Sequence, residues 1–209
     1  MLSLLTAAGL IFCAMEKSKQ NRVLAYAAEA DDSDIKIAGE KPQHQSSSEE
    51  LEQLADLVKS EHDNGNIQRA KRLAVTLVDT VFTHDIFTDG VTDDNLLLQI
   101  RLLITFTIDI CMENGLPNQI VAQSAQNLYY EQIMLRDKSF YDEIQTSGAF
   151  SMYLLCTRSE TANSTSIGEE FAKLCGKEDD SEYIKLGRDI FEYYLKLSYD
   201  KIRACEFVK

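Results

Sequence analysis

The sequence contains no tryptophan, and only 2 prolines and 9 glycines punctuate its 209 residues. A β-sandwich or barrel requires a turn signal roughly every 8–12 residues. So sparse a supply excludes that class and favours long helices. Metal-site signatures are missing too. His44, His62 and His84 have no His or Cys partner at ligand spacing, so a structural zinc site has no support. The cysteines (Cys13, Cys111, Cys156, Cys175, Cys205) number 5 and never form a CxxC pair. An odd count without a framework argues against a disulfide scaffold and for small buried hydrophobes in a reducing compartment. No GxSxG, phosphate loop, HExxH or dinucleotide fingerprint occurs. Asp31, Asp32 and Asp34 lack the glycine and the distant glutamate of an EF-hand. No basic stripe offsets the 34 acidic residues, and the net charge of −13 repels phosphate backbones. No direct nucleic-acid binding is expected on that ground, and no cofactor or metal is expected.

What is present is ordinary globular material. The hydrophobic fraction of 44% argues against wholesale disorder, and the length suits one domain with a well-buried core. Met1 to Met15 is apolar and uncharged, followed by Lys17, Lys19 and Arg22. It falls short of the ~20 apolar residues of a membrane span and lacks the basic start of a signal peptide. The leading reading of residues 1–27 is an apolar N-terminal helix packing on the rest of the chain. A targeting or secretion segment, with Ala25-Tyr26-Ala27 resembling a small-residue cleavage site, is the alternative. A misassigned start, or a fragment of a longer protein, is the third. Residues 28–48 are polar, broken by Gly39 and Pro42 and ending in serines. They read as a linker, with the helical domain at 49–209.

Within that domain the spacing predicts a succession of amphipathic helices. Ser46 and Ser47 precede Glu49 and Glu50 by three residues, a capping-box arrangement. Leu51, Leu54, Leu57 and Val58 form the first stripe, which should stop at Asn64-Gly65. Asn66 is then expected to cap a second helix through Ala70, Leu73, Leu77 and Val81, giving an antiparallel hairpin. Asp93 or Thr92 should cap a third helix, apolar nearly all round and therefore central. Pro117 fits the first turn of a fourth helix using Ile120, Val121, Leu128, Ile133 and Leu135. A fifth spans about 139–157, weakened by Gly148, and Ser159 to Ser166 reads as a loop. The last helix spans about 181–207, with Arg188, Glu192, Lys196 and Asp200 as a solvent-facing charge ladder.

One constellation stands out. Arg101, Thr105 and Asp109 recur at steps of four and form a narrow polar line on the otherwise apolar third helix. Arg101 could fix an anion there with Asp109 nearby. The plainer reading is a polar edge where this helix meets solvent or another helix, because functional sites need convergent groups from several elements. Nine tyrosines without tryptophan suit amphipathic core edges or a ligand pocket.

Two stretches carry resemblances. His62 to Asp79 (HDNGNIQRAKRLAVTLVD) resembles the turn and second helix of a tetratricopeptide-type hairpin, present once, whereas such arrays need repetition. Gly65 to Tyr153 resembles the helical segment preceding the helix-turn-helix of some AraC-type regulators. The matching features are Gly65-Asn66 with Ala70, Leu98 to Thr107, and Glu113-Asn114-Gly115-Leu116. The DNA-binding helices of that family have no counterpart, so the resemblance implies a sensing or dimerisation module.

Together these features predict an all-α bundle of about five to seven antiparallel helices. The leading functional expectation is a cytoplasmic, non-enzymatic interaction or regulatory module that binds a protein partner or itself. The alternatives are a membrane-tethered or secreted helical domain, and a small-ligand or enzymatic domain centred on Arg101 and Asp109.

Overall fold

A computed structural model describes residues 48–83, 86–158 and 164–208. The expected N-terminal helix, residues 28–47 of the linker and Cys13 lie outside the described residues, as do His44, His84 and Asn163, while Ser48, expected to end the linker, is already helical. The chain divides between Asp56 and Leu57 into two units. Of the first, only residues 48–56, which begin the opening helix, are described; the bundle belongs to the second.

The described residues form eight helices: α1 Ser48–Asp63, α2 Asn66–Phe82, α3 Asp94–Gly115, α4 Gln119–Arg136, α5 Lys138–Thr146, α6 Ala149–Arg158, α7 Ser164–Leu174 and α8 Ser181–Ala204. No strand occurs among them. The expectation of an all-α bundle holds. The helix count exceeds the expected range for two local reasons. Gly148 does more than weaken a helix: at φ +72 it ends one and starts another, a conformation costly for a residue with a Cβ. Ser164, expected in a loop, opens α7, which buries Ile167, Gly168, Phe171 and Ala172.

α3 is the axis of the bundle. Ile100, Leu102, Leu103, Ile104, Phe106 and Ile108 are at most 2% exposed. By length and composition α3 could cross a bilayer, but its apolar surface is occupied by neighbouring helices. Each fully buried side chain of this kind contributes about 1.5–3 kcal/mol. Asp93 caps α3 as expected, accepting the N–H groups of Asn95 at 2.9 Å and Leu96 at 3.2 Å. Phe106 lies edge-on to Phe150 and tilted against Tyr153, binding α6 to the middle of α3.

Side-chain contacts define the directions. Asp109 meets Gln126 and Arg101 meets Asp137, so α3 and α4 run antiparallel. Glu61 bridges the starts of α2 and α4 while Arg136 pairs with Asp79 near their ends at 2.6 Å, so α2 and α4 run parallel. Cys111 contacts the Leu195 carbonyl and Gly115 approaches Tyr199 and Ile202, making α3 and α8 parallel. α7 and α8 cross antiparallel, with Ser164 donating to Glu192 at 2.6 Å. Two glycines permit their approach. A Cβ at Gly168 would lie 2.2 Å from the Ile184 carbonyl oxygen, and one at Gly187 would lie 2.6 Å from Cβ of Phe171.

Several local expectations are corrected. Gly65 is left-handed at φ +79, as expected of the turn, but Asn66 is the first residue of α2 rather than its cap. Residues 57–63 of α1 do not lie along α2, and Leu57 and Val58 are 41% and 42% exposed. Over residues 57–63 the expected antiparallel packing on α2 is not formed; Glu61 meets only the start of α2, at Asn66. Leu54 is also exposed. Asn118 caps α4, which starts at Gln119, so Pro117 precedes the helix instead of lying in its first turn; α4 buries Val121, Ala122, Ala125, Tyr129 and Ile133 while Leu135 is exposed. On α8 the charge ladder does not close at steps of four: Arg188 pairs with its neighbour Asp189, and Arg203 with Asp200. α8 also stops at Ala204, and the residues after it are claimed elsewhere.

Candidate functional site

The polar line on α3 lies along its seam with α4. Thr105 is fully buried, whereas Arg101 and Asp109 are half-buried. Each meets different partners. The Arg101 guanidinium stands over the Phe82 ring at 5.9 Å and lies near Asp137. That carboxyl sits below the usual range chiefly because Phe140 N–H donates to it at 3.0 Å, with the Ser139 hydroxyl and the Arg101 charge adding to the effect. One turn on, the hydroxyls of Thr105 and Tyr129 are neighbours across the seam. Neither makes a hydrogen bond of normal geometry among the described residues. Burial raises the Tyr129 hydroxyl well above its ordinary pKa.

At the third level Gln126 Nε2 donates to Asp109 Oδ1 at 2.9 Å, and the Tyr130 hydroxyl also reaches this carboxylate. Burial outweighs both bonds, so the Asp109 carboxyl is raised above the ordinary carboxylate value. Tyr130 is raised by the same burial and by the Asp109 charge. Arg101 and Asp109 are eight residues apart, about 12 Å along the axis. The structure therefore brings Asp109, Gln126 and Tyr130 together and seats Arg101 at Phe82 and Asp137; it does not converge Arg101 and Asp109 on one point. A seam of this kind fixes the register of α3 on α4.

The described thiols are all protonated at neutral pH. Burial pushes Cys111 far up, next to Ser198, and pushes Cys175 up to about 12; Cys156 and Cys205 are raised for the same reason. No cluster of three His, Cys, Asp or Glu side chains able to hold a metal occurs among the described residues.

A second polar assembly, at the other end of α4, was not legible in the sequence. Glu61 on α1 is 8% exposed. Its Oε2 accepts from Asn66 Nδ2 at 2.6 Å and from Asn64 Nδ2 at 3.2 Å, and its Oε1 accepts from Asn118 Nδ2 at 2.8 Å. Asn118 meanwhile caps α4 by accepting Val121 N–H at 3.1 Å. Asn66 is wholly buried. Its second amide hydrogen goes to the Val208 carbonyl at 2.8 Å, and its Oδ1 accepts Val208 N–H at 2.9 Å and Arg69 Nη1 at 3.3 Å. Asn66 and Val208 are 142 residues apart, and no local pattern announces the pairing. Asn64-Gly65-Asn66 reads only as a turn.

No family model, curated protein or solved structure matches the chain.

Proposed function

We propose that this chain is a non-enzymatic interaction module that binds a protein partner, or a second copy of itself, through the apolar face of α1. The observation that carries the reading is the exposure of Leu57 and Val58 at 41% and 42%, on a helix whose last turn is anchored through buried Glu61. An amphipathic helix that keeps its apolar side in water while its end is fixed is suited to helix-in-groove recognition. Its ordering cost is already met in part by the anchor. The polar seam between α3 and α4 favours no ligand-binding alternative, because its charged ends lie at different levels and its central hydroxyls are sealed.

Sedimentation velocity over a concentration series tests the self-associating form. The wild type should shift toward a dimer as concentration rises, and Leu57→Glu should remain monomeric. A wild type that stays monomeric calls for quantitative co-purification beside Leu57→Glu, in which a specific partner should be lost from the variant. Monomeric behaviour together with identical co-purification from both chains would contradict the reading.

A further inference from the structure

The manner in which Asn66 holds the end of the chain points to a latch. Two features of the contact matter. First, the side-chain amide engages Val208 on both sides, donating to its carbonyl at 2.8 Å and accepting its N–H at 2.9 Å. That is the pairing one strand offers another, made here by a side chain. The amide orientation is fixed by the remaining bonds, since Glu61 Oε2 accepts from its nitrogen at 2.6 Å and Arg69 donates to its oxygen. Second, the Val208 side chain is 45% exposed. The clamp therefore reads main chain and is indifferent to the side chain it holds.

Glu61 couples this contact to α1. The carboxylate that seats the Asn66 amide also holds Asn118, and it is the last anchoring group on α1. Between α8 and the clamp, Glu206 sits at φ +49, a left-handed conformation that a residue with a Cβ adopts at some cost. The tail is thus held by main chain at Val208 and by the partly buried Phe207 beside it, and it is joined to α8 through a residue that release would relax.

We propose that Asn66 and Glu61 form a main-chain-reading clamp, that the C-terminal tail is its displaceable occupant, and that tail release frees the last turns of α1. The clamp accepts an extended peptide segment by its backbone, so a competing segment from a partner would unlatch the tail. The consequence for binding rests on the reading of α1 given above; the latch itself does not.

Hydrogen exchange on the full chain tests it. Val208→Pro removes the N–H donated to Asn66, whereas Val208→Lys keeps it and changes only the exposed side chain. In Val208→Pro, amides of residues 57–64 should exchange at least about tenfold faster, while those of α3 keep their rates. Val208→Lys should match the wild type throughout. A second variant, ending at Glu206, should show the same local acceleration, reversed by adding the peptide Glu206–Lys209 in excess. Unchanged exchange at 57–64 in Val208→Pro would overturn the proposal. Acceleration spread evenly over α3 and α8 would overturn it too, because the tail would then be part of the global fold. Binding lost in Leu57→Glu with no local response to Val208→Pro would sink the latch and leave the α1 reading standing.

Discussion

Asn66 makes the clearest case that one buried side chain can organise distant parts of a chain. Its amide hydrogens and carbonyl lone pairs are all engaged, so Asn66→Ala removes the shortest of the three bonds to Glu61 and leaves two backbone groups of Val208 without their partner. Loss of about 2–4 kcal/mol is expected in urea unfolding, and Asn66→Asp should cost more by placing a second carboxylate against Glu61. Asp109 gives a pH-dependent prediction. Its carboxyl is raised in the folded state, so the folded chain holds the proton more tightly than the unfolded one. Stability from this group is full below the unfolded value near pH ~4 and is lost as pH rises through the folded value. Asp109→Asn should therefore gain stability relative to wild type toward neutral pH, with the gain vanishing in acid; urea midpoints at about pH 4 and pH 8 read it, and a difference independent of pH would refute the assignment. Thr105 and Tyr129 lack hydrogen bonds of normal geometry among the described residues, so Thr105→Val should be neutral or stabilising by up to about 1 kcal/mol. The polar line was legible in the sequence as a line at steps of four. Its partners Gln126, Tyr129 and Tyr130 were not, because pairing across helices leaves no periodic mark.

Among the helices, the crossing of α7 and α8 depends on close backbone approach. Gly168 faces a backbone carbonyl that cannot rotate away, and Gly187 faces the ring of Phe171. Gly168→Ala should cost about 3 kcal/mol or more by thermal or urea unfolding. Gly148→Ala meets open space and pays only for its positive φ, about 1 kcal/mol. Equal losses at the two sites would show that packing is not what Gly168 provides. The contrast also explains what sequence reading captured. Long, strongly periodic helices such as α2, α3 and α8 were legible, and so was the Asp93 cap. α7 was missed because 11 residues opening on Ser164 and Thr165 give only Ile167 and Phe171 as periodic apolar signals. The break at Gly148 was visible as a weakness, but its positive φ of +72 was not, because a glycine alone does not announce a left-handed turn. On α4 the buried stripe includes Ala122 and Ala125, residues that a hydrophobic pattern underweights.

At the level of the whole molecule, composition and pattern were enough for an all-helical bundle centred on α3. They were not enough for the parallel pairing of α2 with α4, whose direction is marked by Glu61 at one end and the Arg136–Asp79 ion pair at the other, nor for the exposed stretch of α1. A stripe at helical spacing is ordinarily core, and at Leu57 and Val58 that rule fails: both stay exposed although Glu61 ties the last turn of α1 to the starts of α2 and α4. Substitutions at these exposed positions should change stability by no more than about 0.5 kcal/mol. Site-specific photocrosslinking in the native cell measures the central claim most directly, with the crosslinking residue at Val58 and, as a control that is more exposed still, at Leu155, which is 64% exposed on α6. A discrete product, either a dimer of this chain or one defined partner, is expected from position 58 and absent from position 155. No product from position 58, or the same products from both positions, would contradict a binding role for α1.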